Sequence, residues 1–159
     1  MRQIYRMSAG YRSFRGYLNI RLEQVARAAR YAANKVYQRE YGIDIDHLRI
    51  MRIVVATPNQ PVKWVVRESN LERTLVSRII GRLVKRQLLD RTISPDDARQ
   101  FLLIATPAGE KLVASANVLG DALDLDLLGV LDQRERDTFE KCLVKLAQWR
   151  PKSSTDSKP

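Results

Sequence analysis

One cysteine and one histidine are all that this 159-residue chain contains of either type, and that scarcity removes whole classes of chemistry. A structural zinc site usually draws four ligands from these two residue types, so no metal site is expected. A lone cysteine can form no intrachain disulfide, which suits a reducing compartment. Cys142 lies in an apolar helical stripe and reads as a small core hydrophobe. No Ser-His-Asp arrangement and no phosphate-binding glycine loop can be recognised, so catalytic residues and cofactors are expected to be absent and an enzyme is disfavoured. No apolar run is long enough to cross a bilayer, and Met1-Arg2-Gln3 leads into no signal-like apolar region. A cytoplasmic protein without a membrane partner is the expectation. Six prolines and seven glycines beside 45% hydrophobic residues describe an ordinary globular chain with a real core. Its length suits one domain, or one domain with helical extensions.

Positive charge is in surplus. The formal net charge is +10 and the pI is near 10.1, which points to a polyanionic partner. The surplus is uneven. Residues 1–40 hold nine Arg and Lys against two Glu, residues 71–100 hold seven against four acids, and the segment from 101 onward holds eight against nine. Two basic zones beside a near-neutral C-terminal part describe a directed footprint.

Residues 1–17 form a basic, aromatic arm broken by Gly10 and Gly16, open to two readings: packing on a partner subunit, or contact with phosphates as well. From Leu18 the apolar residues Leu18, Leu22, Val25, Ala29, Ala32 and Val36 recur in steps of four and three, the mark of a long amphipathic helix ended by Gly42. Its many alanines permit close approach of another helix, consistent with a dimer contact. Asp44 is a good N-cap for a second helix with Ile45, Leu48, Met51 and Val55 on one face. Residues 57–61 are loop chemistry. A short helix over about 63–68 and a turn at Ser69-Asn70 precede another helix, from about Leu71 to Gln87, with Leu75, Ile79 and Leu83 inward. Residues 90–106 read as strand, turn, strand, the chain's one hairpin. Thr106-Pro107 opens the next helix, which runs to about Asp126. Asp132 to Glu135 forms a capping box for a last helix that buries Phe139, Leu143, Leu146 and Trp149. The tail 150–159 is polar and reads as disordered.

The spacing Val66, Asn70, Val76 matches a helix-turn-helix. A medium apolar residue packs between the helices, Asn tolerates the left-handed turn next best to Gly, and an apolar residue anchors the second helix. After that turn Thr74, Ser77, Arg78, Gly81 and Arg82 share one face, with Arg73 and Lys85 nearby and no carboxylate after Glu72. Such a face fits a major groove, where Arg pairs bidentately with guanine and hydroxyls reach bases or phosphates. Alone, the helix is equally a solvated basic face; followed by a hairpin, it favours DNA.

That order, and the run LERTLVSRIIGRLVKRQLLDRTISPDDARQFLLIATPAGEKL over residues 71–112, resembles winged-helix regulators of the multiple antibiotic resistance regulator (MarR) family. The shared motif is Ser77-Arg78 in the recognition helix, Leu83 with Leu88, Arg91 opening the wing, Asp97-x-Arg99 within it and Thr106-x-x-Gly109 entering the next helix. The likeness covers about 18–149. The chain departs from the family pattern at Asn70 for a turn Gly, Gln87 for a helix-ending Gly, Ala105 for a Leu, and Gly81 for a polar residue. Implied is a mainly α fold with one β-hairpin wing: a winged helix-turn-helix lobe over 44–106 plus dimerisation helices over 18–42 and 107–149.

The resemblance further implies a homodimer on a palindromic operator in double-stranded DNA, with half-sites about one helical turn apart. Arg73, Thr74, Ser77, Arg78 and Arg82 would face the major groove, Arg99 the minor groove, and Asp97 would brace the wing. Members of the family typically sense small anionic aromatic ligands, and some respond to acyl-CoA thioesters. A repressor released from DNA by an aromatic carboxylate or aryl-CoA effector is therefore expected, with Arg30, Tyr31, Asn34, His47, Arg49 and Trp64 as candidate effector contacts. The competing reading is a winged-helix module that binds nucleic acid non-specifically, or another protein, without ligand sensing.

Overall fold

In the computed structural model, residues 16–95, 97 and 100–149 are described. The expected arm therefore lies almost wholly outside the described residues, as do the tail and Arg99. Among the described residues there are six helices and three strands: α1 (Leu18–Tyr41), α2 (Ile45–Ala56), β1 (Gln60–Pro61), α3 (Val62–Ser69), α4 (Arg73–Lys85), β2 (Leu89–Ile93), β3 (Phe101–Ala105), α5 (Pro107–Leu128) and α6 (Gln133–Ala147). The chain divides into two units, Met1–Gly120 and Asp121–Pro159, with the boundary inside α5.

Local chemistry sets the helix ends. Gly42 closes α1 in the left-handed region (φ 63°), its N–H bonding the Gln38 carbonyl, which is the favoured way to end a helix. Asp44 caps α2 by accepting from the N–H groups of Asp46 and His47. Thr106 Oγ1 accepts from the Gly109 N–H at the start of α5. Asp132 and Glu135 complete the reciprocal capping box of α6.

The first unit's core is built on α2, whose Leu48, Ile50, Met51 and Val54 are fully or almost fully buried. Val65 of α3, Val76, Ile79, Ile80 and Leu83 of α4, Leu89 of β2 and Leu103 of β3 close around it. Each such side chain contributes roughly 1.5–3 kcal/mol by leaving water. Gly109 lets α5 approach this core: a Cβ there would overlap the Leu88 carbonyl oxygen and crowd Met51 Cε. Among the described residues, no helix is long and apolar enough to cross a membrane.

Several details differ from the sequence expectation. The β structure is a hairpin plus a third strand. The sheet order is β1-β3-β2, all antiparallel, with Gln60 opposite Leu103 and Pro61 opposite Leu102. Residues 60–61 had read as loop because Pro61 lacks an N–H; at a sheet edge that lack costs nothing. The inward face of α4 is turned slightly, so that Val76 and Ile80 are buried and Leu75 only half-buried. In α3 the buried residues are Val65 and Ser69, with Val66 half-buried.

The largest correction concerns α6, none of whose residues is buried. Phe139, Leu143 and Leu146 are roughly half exposed, Trp149 is 68% exposed, and Cys142 is an exposed thiol, not a core residue. Amphipathic spacing identifies an apolar stripe, but it does not say what covers the stripe. The predicted stripe of α1 behaves alike: Leu18, Leu22 and Val25 are exposed, while Ala33 and Tyr37, off that stripe, are the buried residues.

Candidate nucleic-acid interface

The interface begins at the turn between α3 and α4. Asn70 adopts the left-handed conformation there (φ 53°, ψ 33°). Arg49 of α2 holds that corner, Nη1 donating to the Ser69 carbonyl at 3.2 Å, one of the orphan acceptors that every helix C-terminus leaves. The Ser69 hydroxyl is buried and donates to the Val66 carbonyl. Beyond the turn, Val76, Ile79, Ile80 and Leu83 fix α4 against the core, and that anchoring decides which residues face outward.

Those residues are Arg73, Thr74, Ser77, Arg78, Gly81 and Arg82, all exposed, with Lys85 following. The sequence expectation placed Thr74, Ser77, Arg78, Gly81 and Arg82 on one outward face, and the structure leaves each of them exposed. The helix carries no carboxylate, and Glu72 at the N-cap accepts from the Thr74 hydroxyl at 3.0 Å. Several cations and two hydroxyls on a rigid helix with no competing acid suit a polyanion. A Cβ on Gly81 would meet open space, so this glycine leaves a gap on the outward face that packing does not demand.

The wing follows. β2 and β3 pair from Leu89–Ala105 out to Ile93–Phe101. At its end the Ser94 N–H bonds the Gln100 carbonyl, the Gln100 N–H bonds the Asp97 carbonyl, and Gln100 Nε2 donates to the Asp97 carboxylate at 2.9 Å. Asp97 thus braces the turn through Gln100. Its relation to Arg99 falls outside the described residues. Arg91 is exposed at the base of the wing.

Between α4 and the wing the chain turns at Gln87, whose φ of 56° supplies the left-handed step that Gly would have taken. This corner is tied on both sides. Arg86 Nη1 and Nη2 donate to the carbonyls of Gly42 and Tyr41, at 2.9 and 2.8 Å. On the other side, the Thr106 hydroxyl donates to the Gln87 carbonyl at 2.7 Å and the Thr106 N–H to the Leu88 carbonyl. Sequence reasoning passed over Arg86. The available signal was an arginine directly before a residue standing in for a helix-ending glycine.

The six candidate effector contacts fall into separate places. Arg30, Asn34 and His47 meet where α1 crosses the start of α2. Arg30 pairs with Asp46 at 2.8 Å, Asn34 accepts from the Ile45 N–H, and His47 Nδ1 lies 2.7 Å from Asp44. Burial pushes the Asp44 carboxyl up, but hydrogen bonds from the His47 ring and backbone, the His47 charge and the Asp46 N–H outweigh it, leaving Asp44 below the usual carboxylate range. Tyr31 is 67% exposed, with the Lys35 ammonium 5.6 Å from its ring centre. Arg49 serves the α3 terminus, and Trp64 is half-buried on α3. Among the described residues, no group of three or more His, Cys, Asp or Glu is placed to hold a metal ion.

Residues 41–100, from the end of α1 to the residue before β3, match the sequence pattern of the MarR family. The chain is similar to the transcriptional regulator HosA of Escherichia coli O111:H-, at 26% identity over 97 residues covering 61% of this chain and 72% of HosA. Its fold is similar to that of Bordetella bronchiseptica BpsR, whose DNA binding is regulated by 6-hydroxynicotinic acid. That likeness has a TM-score of 0.79 at 19% identity, over 89% of this chain and all of BpsR. It is also similar to an E. coli MarR variant complexed with operator DNA, with a TM-score of 0.73 at 19% identity, over 81% and 92% of the two chains.

Proposed function

We propose that the chain is a transcriptional regulator of the MarR family, whose sequence pattern residues 41–100 match, and that it acts as a homodimeric, ligand-released repressor of a palindromic operator. The observation that carries the reading is the outward face of α4: Arg73, Thr74, Ser77, Arg78 and Arg82, exposed together on a carboxylate-free helix, with a braced wing directly behind. In this reading Arg78 and Ser77 read base edges in the major groove, Arg73 and Arg82 neutralise phosphates, and Arg99 enters the minor groove.

The uncovered apolar surface supports a second copy of the chain in this arrangement. The exposed apolar residues of α1, and separately those of α6, are the kind of surface that a two-fold partner buries. A two-fold axis makes the operator palindromic, with half-sites about one helical turn apart. BpsR responds to an aromatic acid, and an aromatic carboxylate or its CoA thioester is the effector class proposed here. It would act by binding one spacing of the two recognition helices better than another. No cofactor is invoked, and the working location is the cytoplasm, where the DNA is.

The test is a gel shift with duplexes selected from a random pool. Wild type should retain a palindromic sequence at moderate salt. Arg78→Ala should lose about 1–3 kcal/mol of binding and relax the preference at one base position, and Arg99→Ala should weaken binding most in A·T-flanked sites. Binding that ignores sequence and collapses with salt would instead favour a non-specific nucleic-acid module.

A further inference from the structure

We propose that Arg86 is a positioning residue for DNA recognition: its guanidinium ties the end of the recognition helix to the end of α1 and so sets the half-site spacing that the protein accepts. The inference rests on the operator-binding reading above, but concerns a residue outside the DNA-facing set.

Three observations converge. Arg86 is the C-cap of α4, and its side chain reaches 44 residues back in sequence to donate to the Gly42 carbonyl at 2.9 Å and, 45 residues back, to that of Tyr41 at 2.8 Å. These carbonyls stand at the C-terminus of α1, the negative end of its dipole, where a cation is favoured. A planar fork can take two carbonyls at once and hold an angle; a lysine ammonium reaches as a point and cannot. Second, the Tyr41 hydroxyl lies 2.8 Å from Ser115 Oγ of α5. The residue that Arg86 grips is thus itself fastened to the other long helix of the first unit. Third, the next two residues carry the opposite tie, Gln87 and Leu88 giving their carbonyls to Thr106 at the head of α5. The corner at 86–88 therefore receives α1 on one side and α5 on the other. Of these two helices, α1 bears the exposed apolar residues Leu18, Leu22 and Val25 assigned above to the partner copy. The angle between recognition helix and dimer surface is set at this corner, and Arg86 clamps it onto α1 through two side-chain hydrogen bonds.

The experiment compares full-length wild type, R86K and R86Q on the selected palindrome and on versions with the half-sites moved one base pair closer or farther. R86K keeps the charge but not the fork, so phosphate attraction and the salt slope stay while the angle is freed. Wild type should prefer its own spacing by about tenfold or more, and both variants should cut that preference to about twofold or less, a change of about fivefold, at the lower end of the usual range of coupling between sites. A cap that merely supported the fold would lower the melting temperature and leave the spacing ratio intact, so variants that keep the wild-type ratio would overturn the inference. So would loss of far-ultraviolet circular dichroism in both variants, which would make Arg86 a folding residue. Wild type without any preferred duplex would overturn the operator-binding reading and this inference with it; a wild-type preference shared unchanged by R86K and R86Q sinks the inference alone.

Discussion

The two units of this chain spend their apolar residues differently. In Met1–Gly120, Leu48, Ile50, Met51, Ile80, Leu83 and Leu103 are sealed from solvent. In Asp121–Pro159, α6 has an equally regular apolar stripe, yet Phe139, Leu143, Val144 and Leu146 all remain 44–57% exposed. The same helical periodicity therefore encodes two things. One stripe closes a core within its own unit; the other is left uncovered by the described residues. What distinguishes them is not hydrophobicity but the presence of converging elements: α2, α3, α4 and the sheet all meet on the first stripe.

Truncation on either side should break this comparison most sharply. Leu83→Ala should cost about 2–5 kcal/mol, since it leaves a cavity in a close-packed site, and the loss should be the same at any protein concentration. Leu143→Ala should cost most when the protein is concentrated and little when it is dilute, because a stripe covered by a second copy obeys mass action. Urea unfolding at two concentrations a hundredfold apart distinguishes them. A concentration-independent loss at Leu143 matching that at Leu83 would erase the distinction.

A smaller effect tests the polar framing of the first unit. Asp44→Ala should cost about 1 kcal/mol through the lost cap. Asp44→Asn keeps capping oxygen but not charge. Because the folded carboxyl lies below its ordinary range, its extra stabilisation is present above that range and disappears as pH falls through the depressed value. The gap between wild type and Asp44→Asn in thermal melts should therefore close on acidification; a gap that widens would contradict the pairing with His47.

Smallest of the three is Gly81→Ala, which should raise stability by up to about 1 kcal/mol, as an exposed helix interior gains an alanine with nothing to strike. Chemical denaturation measures it. A loss of stability would show that the outward face of α4 is packed after all.

Much of the local chemistry in both units was legible. Asp44, Gly42, Asn70, Thr106 and the Asp132–Glu135 box each act locally, so three or four residues of sequence contain the whole interaction. The outward set on α4 was legible because a helix repeats. The fasteners were not. Arg49 to Ser69 and Arg86 to Tyr41 and Gly42 join residues 20 to 45 apart, and such contacts leave no period to read. β1 was missed for a related reason: two residues cannot alternate, and they are a strand only because β3 offers a free edge. Cys142 was misplaced because apolar spacing alone cannot tell a core from an uncovered stripe.

The contact of Gly109 with the Leu88 carbonyl has a mechanical consequence. With no side chain between them, the head of α5 and the exit of α4 lie in direct backbone contact, so that a Cβ at position 109 would force them apart. The 13-residue α4 then behaves as a lever arm about 20 Å long. A tilt of roughly 5° at this fulcrum sweeps its far tip by about 1.7 Å, enough to move an arginine fork out of register with a base edge.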